Sequence, residues 1–138
     1  MKNTWSNKWK GSLQPRKQRK YRSNAPLHVR RRFVSATLSD ELRKKFSRRS
    51  FPLRKGDEVE IMRGKFRGTK GTVEKADLKN SKVYIDSAKR KKVNGSEIMV
   101  PIDPSNLRIL DIKTEDKTRA EAIRKDKAEP SRAELRSA

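Results

Sequence analysis

The residues of this sequence best suited to chemistry lie in one ten-residue segment that combines glycines with cations. It runs Arg63-Gly64-Lys65-Phe66-Arg67-Gly68-Thr69-Lys70-Gly71-Thr72. Glycine permits positive φ and a close backbone approach, so exposed N–H groups and cationic side chains can both reach phosphate oxygens. A nucleotide-binding P-loop is excluded, because Thr69 occupies the position of its second glycine and no Lys-Ser or Lys-Thr pair follows in register. We therefore predict phosphate contacts from Arg63, Gly64, Lys65, Arg67, Gly68, Lys70 and Gly71.

A second basic group precedes Asn94-Gly95, a dipeptide typical of tight β-hairpins. We interpret this group as a loop that also contacts phosphates. An edge strand that its lysines protect from aggregation is the alternative interpretation. The four cations are Lys89, Arg90, Lys91 and Lys92.

A short helix is predicted from Pro26, which suits the first helical position, because Val29 and Phe33 stand four residues apart on one apolar face. The same helix carries Arg30, Arg31 and Arg32. At least two of these arginines must point away from the apolar face, where they can bind phosphates. A solvated helix face is the alternative, although no acidic residue nearby would balance its charge.

The first two dozen residues lack a sustained apolar period and are predicted to form an extended basic arm. Trp5, Trp9 and Tyr21 alternate there with cations, a mixture suited to base stacking and phosphate neutralisation. A disordered solvated tail is the alternative, although exposed tryptophans would not improve solubility. The arm cations predicted to contact RNA are Lys8, Lys10, Arg16, Lys17, Arg19, Lys20 and Arg22. His28, the single histidine, either stacks on a base or faces solvent.

A second short helix should begin at Ser39, because Asp40 and Glu41 in its first turn favour the helix dipole. Leu38, Leu42 and Phe46 are spaced as its apolar stripe. Arg48 and Arg49 follow the stripe, where they suit a helix C-terminus as well as RNA contact.

The composition favours a polyanionic partner. The chain has 138 residues, 31% of them hydrophobic, and 38 Lys or Arg against 17 Asp or Glu, a formal charge of +21. Residues 1–50 hold 16 cations against two acids, residues 51–112 hold 14 against nine, and residues 113–138 hold eight against six. We therefore predict a basic N-terminal extension over 1–50, a globular domain over 51–112 and a charged tail over 113–138.

Apolar residues alternate with polar ones in five segments of the middle region, which predicts five short strands: EVEIM, GTVEKA, KVYID, IMVPI and NLRIL. Asp103-Pro104-Ser105-Asn106 has the chemistry of a type I turn. Five short strands joined by glycine and Asx turns suggest a small barrel rather than a sandwich. The predicted fold class is mainly β, with a basic extension that contains two short helices and a helical C-terminal tail.

The last 26 residues predict a solvated helix with Thr114 as a cap and Glu115/Arg119 and Glu121/Lys125 as i,i+4 pairs. Pro130 should interrupt this helix, and Ser131 with Glu134 is suited to a capping box for one more turn. The pattern assigns no function to this tail.

Several classes of protein are excluded by what the sequence lacks. With no cysteine, one histidine and acids that stand singly or in pairs among cations, we predict no enzyme, no cofactor, no metal site and no small-molecule substrate. No stretch approaches the roughly 18 apolar residues of a membrane-spanning helix. The basic N-terminus lacks the apolar core of a signal peptide, so we expect a cytoplasmic protein without membrane insertion.

The segment Lys55-Gly56-Asp57-Glu58-Val59, with Arg63-Gly64, Arg67-Gly68, Lys70-Gly71 and Val73, resembles the KOW motif of SH3-like barrels in ribosomal and transcription proteins. The flanks NAPLHVRRRFVSATLSDELRKKFSRRSFPLRKGDEVEIMRG and NGSEIMVPIDPSNLRI resemble the large-subunit ribosomal protein family numbered twenty-four, called twenty-six in eukaryotes. The basic extension is similar to the archaeal and eukaryotic branch, since bacterial members start close to the KOW segment.

The resemblance implies a structural constituent of the large ribosomal subunit in the cytoplasm. It further implies binding to the 5′ domain of large-subunit rRNA, an early role in subunit assembly, neighbouring large-subunit proteins and a position near the polypeptide exit tunnel. A KOW-containing transcription elongation factor is one alternative, although such factors usually begin with a mixed α/β domain. A basic nucleic-acid packaging protein is another.

Overall fold

The computed structural model describes residues 5–128, with side chains through residue 123. In this part of the chain the helices are α1 (Pro15–Asn24), α2 (Leu27–Phe33), α3 (Asp40–Phe46) and α4 (Lys117–Ala128). The strands are β1 (Ser35–Leu38), β2 (Ser50–Pro52), β3 (Glu58–Ile61), β4 (Lys70–Asp77), β5 (Lys82–Ile85), β6 (Lys89–Lys91), β7 (Glu97–Met99) and β8 (Leu107–Asp111).

Six of these strands form one sheet in the order β2-β1-β8-β3-β4-β5, and β6 pairs with β7 in a separate hairpin. All pairs in the sheet are antiparallel except β1 with β8. Within residues 5–128, β2 and β5 are the two sheet edges, so the strand pairing does not close a ring. The structure is therefore a mixed helix and sheet fold around a small β domain, and the five-strand SH3-like barrel stays a prediction.

The five predicted strands are present as β3, β4, β5, β7 and β8, and three more strands accompany them. Strand β1 comes from the segment expected to form a basic extension, and β2 begins at the last residue of that segment, Ser50. Strand β1 lies inside the sheet, between β2 and β8. Its alternating pattern Ser-Ala-Thr-Leu buries Ala36 and Leu38. The small and polar residues of this strand give a weak alternating pattern in the sequence, whereas its burial on one face is clear in the fold.

The apolar core lies on the inner face of the sheet. Val59, Ile61, Ile85, Leu107 and Ile109 are almost completely inaccessible to solvent there. Burying one such side chain contributes about 1.5–3 kcal/mol, so this layer is the main source of stability.

The prediction of an extended arm in the first two dozen residues was wrong, because Pro15–Asn24 form helix α1. Pro15 occupies the first turn, where its missing N–H costs nothing, and Ala25 ends the helix with its N–H donating to the carbonyl of Arg22. The helix buries no side chain of its own. The second part of the predicted arm and both predicted short helices therefore form three helices, α1, α2 and α3.

Helix α3 begins as predicted. The hydroxyl of Ser39 accepts a hydrogen bond from the N–H of Leu42 at 3.4 Å, and Asp40 and Glu41 fill the first turn. The helix ends at Phe46, followed by Ser47 in the left-handed conformation with φ 52°. Arg48 and Arg49 therefore lie beyond the helix rather than in its last turn.

The C-terminal helix is not the solvated element that its sequence predicted. The residue that caps it is Asp116, whose carboxylate accepts from the N–H of Thr118 at 3.0 Å, rather than Thr114. Arg119 and Ile123, four residues apart, are 4% and 6% exposed and pack against the rest of the fold. The predicted partner of Arg119, Glu115, pairs with Lys113 instead. Pro130 and the capping box at Ser131 and Glu134 lie outside the described residues.

Candidate nucleic-acid interface

The segment from Arg63 to Lys70, here called the basic loop, follows β3 and ends at the first residue of β4, Lys70. Backbone hydrogen bonds hold it in place. The N–H of Gly68 donates to the carbonyl of Ile61 at 2.8 Å, and the N–H of Thr69 donates to that of Phe66 at 3.0 Å. Gly64 and Gly68 have φ of +92° and +81°, which residues with a Cβ rarely adopt. The half-buried ring of Phe66 packs against the core and anchors the loop.

This geometry changes the predicted role of the loop backbone. The N–H groups of Arg67, Gly68 and Thr69 donate to carbonyls of the protein, so they are not available to bind a phosphate. The side chains of Arg63, Lys65, Arg67 and Lys70 are exposed. No ion pair joins these four to a carboxylate among the residues that the structure describes. The loop therefore presents its charge through side chains on a fixed backbone.

Gly71 lies just after the basic loop and is required by packing. A Cβ built there would overlap the hydroxyl of Ser87 and stand 2.7 Å from Cγ2 of Ile85. Asp86, between these two residues, accepts a hydrogen bond from the N–H of Thr72 at 2.9 Å. The end of β5 therefore lies against the start of β4, at the same end of the sheet as the basic loop.

The second basic group forms strand β6, not a loop, so the alternative interpretation as a lysine-rich edge strand describes its structure. Lys89, Arg90 and Lys91 pair with Met99, Ile98 and Glu97. Gly95 has φ +81°, and its N–H donates to the carbonyl of Lys92 at 3.0 Å. The predicted hairpin is therefore present, but its turn is one residue longer than a two-residue turn. All four cations, Lys89, Arg90, Lys91 and Lys92, are exposed, and Lys89 lies 3.9 Å from Glu97.

The three arginines of α2 have different surroundings. Arg31 and Arg32 are exposed, as is His28. Arg30 is half-buried and donates two hydrogen bonds to carbonyls, from Nε to Ala25 and from one terminal nitrogen to Lys79, both at 2.9 Å. Two arginines therefore face outward, as the helical pattern predicted, and the third is occupied within the protein.

The aromatic residues of the arm stack on one another. The ring of Tyr21 lies between those of Trp5 and Trp9, with ring centroids 5.0 Å apart in both pairs. The indole N–H of Trp5 donates to the carbonyl of Tyr21 at 3.1 Å, and the Tyr21 hydroxyl donates to the carbonyl of Ser6. Both faces of Tyr21 are thus covered, so base stacking by this ring would require the cluster to open. The arm cations are exposed around it: Lys8, Lys10, Arg16, Lys17, Arg19, Lys20 and Arg22.

The two cations after α3 also differ. The guanidinium of Arg48 lies 5.6 Å from the ring centroid of Phe51, a cation–π distance. Arg49 is exposed, and its carbonyl accepts a hydrogen bond from the N–H of Leu38, the last residue of β1. Arg49 therefore remains suited to phosphate contact, whereas Arg48 is partly engaged with the core.

Sequence reasoning missed the most buried charges of the molecule. Asp57 and Arg119 are 0% and 4% exposed and form a double ion pair, with nitrogen to oxygen distances of 2.6 and 2.7 Å. Asp57 also accepts from the N–H groups of Arg54 and Lys113. The spacing of Arg119 and Ile123 on one helix face was the available signal for this docking.

Among the residues that the structure describes, no cluster of His, Cys, Asp or Glu is arranged to hold a metal ion. Over the same range, no helix is both long and apolar enough to cross a membrane.

Comparison with known proteins matches residues 12–126 to the model of a family described as the ribosomal proteins L26 of eukaryotes and L24 of archaea. The chain belongs to this family. It is 54% identical over 112 residues to the large ribosomal subunit protein uL24 of Methanosphaera stadtmanae, a match that covers 81% of this chain and 96% of the relative. The uL24 proteins of Methanosarcina barkeri and Pyrobaculum islandicum are 45% and 44% identical, over 83% and 86% of this chain and 98% and 96% of their own lengths.

The resemblance noted from the KOW segment and its flanks is therefore confirmed. As a member of the uL24 family, the chain is a structural, non-enzymatic ribosomal protein of the large subunit. The prediction that it is no enzyme is confirmed by this membership. The alternatives of an elongation factor and a packaging protein lose their main support, because the family match covers most of the chain.

Proposed function

We propose that this chain binds large-subunit rRNA, with the basic loop as the centre of its contact surface. The observation that carries the proposal is the set of four exposed loop cations, Arg63, Lys65, Arg67 and Lys70, without carboxylate partners among the described residues. Their backbone is already ordered by internal hydrogen bonds. Little conformational entropy is then lost on binding, so more of the electrostatic attraction is available as affinity.

Other exposed cations extend this surface. The hairpin cations lie on a short two-stranded ribbon that is exposed along β6, and its root lies beside Gly71 at the end of the sheet that carries the basic loop. Arg31, Arg32 and the arm cations add a second basic region on α1 and α2. Rigid elements with outward-facing Lys and Arg suit the phosphate backbone of structured RNA, which is bound largely by shape and charge.

The family resemblance supports more specific proposals about the rRNA domain, the stage of assembly and the position in the subunit. We propose that the rRNA contacted is the 5′ domain, that binding occurs early in subunit assembly, and that the mature position is near the polypeptide exit tunnel, beside other large-subunit proteins in a cytoplasmic ribosome. We further propose that the β domain corresponds to an SH3-like barrel and that residues 1–50, 51–112 and 113–138 act as a basic extension, a domain and a charged tail.

The test is a titration of the protein against a large-subunit rRNA fragment at several salt concentrations. Each phosphate contact releases counterions, so replacing Arg31 and Arg32 by Gln should lower the magnitude of the slope of log K against log salt by about one unit per contact, or about two units in total. Lys44 and Lys117 are exposed cations outside the proposed surface. Replacing both of these by Gln removes the same charge and should leave the slope nearly unchanged.

Equal slopes for the two double variants would remove the α2 arginines from the RNA surface. Preference for duplex DNA over the rRNA fragment at the same salt concentration would contradict the proposed function and favour nucleic-acid packaging.

A further inference from the structure

One arginine of the cationic helix α2 is used by the protein itself. Arg30 is half-buried, and its side chain joins two elements that are far apart in sequence. Its Nε donates to the carbonyl of Ala25 at the end of α1, and its terminal nitrogen donates to the carbonyl of Lys79 between β4 and β5. The planar guanidinium is suited to such a bridge, because its donors have a fixed fork geometry.

The acceptor on the sheet side is itself held in place. The carboxylate of Asp77 accepts from the N–H groups of Lys79 and Asn80, at 3.0 and 3.1 Å, and from the amide nitrogen of Asn80 at 2.8 Å. These hydrogen bonds, that of the Asn80 side chain first, lower the pKa of Asp77 below its ordinary value. The carboxylate is therefore charged at neutral pH. The turn that carries the Lys79 carbonyl is held by these hydrogen bonds independently of Arg30.

The bridge acts beside a helix whose own side chains are not buried. Helix α1 buries no side chain, and Tyr21 on this helix stacks on Trp5 and on Trp9. Ala25, whose carbonyl receives Arg30, is the buried residue at the point where α1 meets α2. The two hydrogen bonds of Arg30 therefore join this corner to the turn between β4 and β5.

We propose that Arg30 is a positioning residue, which sets the direction of the cationic arm relative to the sheet rather than binding a phosphate. This inference rests on the proposed RNA-binding function, since it assigns a role within that surface. Arg31 and Arg32, its neighbours, are exposed and keep the phosphate role. A loss of the bridge lets the arm sample other directions, so binding weakens although few or no phosphate contacts are removed once the complex forms.

One pair of variants separates positioning from phosphate binding. Arg30→Lys keeps the charge but lacks the fork that spans both carbonyls. Arg43→Lys makes the same change at an exposed arginine of α3 outside the proposed RNA surface, whose Nε donates to a single carbonyl, that of Leu38. The bridge is lost from the free protein as well as from the complex, so its two hydrogen bonds set only an upper limit to the effect on binding. We expect Arg30→Lys to weaken rRNA binding about three- to tenfold at every salt concentration. Its salt slope should match that of the wild type, and Arg43→Lys should bind within about twofold of the wild type.

A second measurement follows the arm without RNA. The chain has no cysteine, so Ser23→Cys on α1 and Glu74→Cys on β4, both exposed, give a spin-label pair whose distance distribution reports the arm direction. Arg30→Lys should broaden this distribution, and Arg43→Lys should leave it unchanged. Circular dichroism of each variant identifies a general loss of fold, which would appear as reduced helix and strand signals.

The inference is overturned if Arg30→Lys binds like the wild type, or if Arg30→Gln lowers the salt slope by about one unit while Arg30→Lys restores it. An unchanged label distance in Arg30→Lys also overturns it. Failure of the wild type to bind rRNA would contradict the proposed function instead, and the distance measurement would still decide whether Arg30 holds the arm.

Discussion

Replacing Arg119 by Met tests the buried ion pair that holds α4 against the sheet. The two side chains of the pair, Arg119 and Asp57, are 3% and 0% exposed, so solvent screens their attraction very little. Methionine keeps most of the apolar volume but leaves the Asp57 carboxylate buried without its cation. Within the described residues, its donors are then the N–H groups of Arg54 and Lys113.

The expected loss follows from these contacts. Breaking a buried pair from one side costs about 3–5 kcal/mol, and the two backbone donors that remain place the cost near the lower end. Arg119 also donates to the carbonyls of Pro52 and Lys113, at 3.2 and 3.1 Å, and these bonds are lost as well. We expect the free energy of unfolding to fall by about 3–4 kcal/mol, a large share of the stability of a small domain.

The assay is urea unfolding followed by far-ultraviolet circular dichroism, because both tryptophans lie in the arm and would report the wrong region. Lys82→Met is the matched control. Lys82 pairs with Asp103 at 2.8 Å, but the side chains are 36% and 53% exposed, so its loss should cost only about 0.2–1 kcal/mol. The double variant Asp57→Asn with Arg119→Met removes both charges and should be less destabilised than the sum of the single variants.

A loss below about 1 kcal/mol for Arg119→Met, or strict additivity in the double variant, would refute the reasoning. Either result would mean that α4 is not held by this pair.

Two further predictions concern packing and pH. Gly71→Val should lower stability by about 1–3 kcal/mol, because its Cβ would overlap Ser87 and Ile85; an unchanged melting temperature together with wild-type rRNA affinity would contradict the close contact. The pKa of Asp116 is lowered by hydrogen bonds from the Thr118 hydroxyl and then the Arg54 guanidinium. A carboxyl group with a lowered pKa stabilises the fold above its ordinary pKa of 3.8, and this contribution disappears as pH falls below that value. Asp116→Asn should therefore be less stable than the wild type at pH 7, and the difference should shrink below about pH 4 in urea titrations; a constant difference would contradict the shift.

Much of the local structure was predictable from the sequence. The alternation in EVEIM, KVYID and NLRIL predicted strands that the fold contains, and Ser39 caps its helix as its position indicated. Such features depend on residues a few positions apart, which a pattern captures directly. The cations of the basic loop were also predictable as surface charge, because residues 61–73 contain no acid.

The partners of individual side chains were decided by the tertiary structure. In the sequence, nothing distinguishes Arg30 and Arg119 from exposed arginines. In the fold, Arg30 donates to a carbonyl 49 positions away, and Arg119 donates to a carboxylate 62 positions away. Tyr21, predicted to stack on bases, is covered by two tryptophans that the fold of the arm brings to its faces. Composition shows that this chain carries a large positive charge. Only three-dimensional proximity determines which cations bond to carbonyls and carboxylates of the protein and which are available to bind RNA. The reason is that a desolvated cation must take the nearest acceptor, and contacts between distant segments leave no periodic signal.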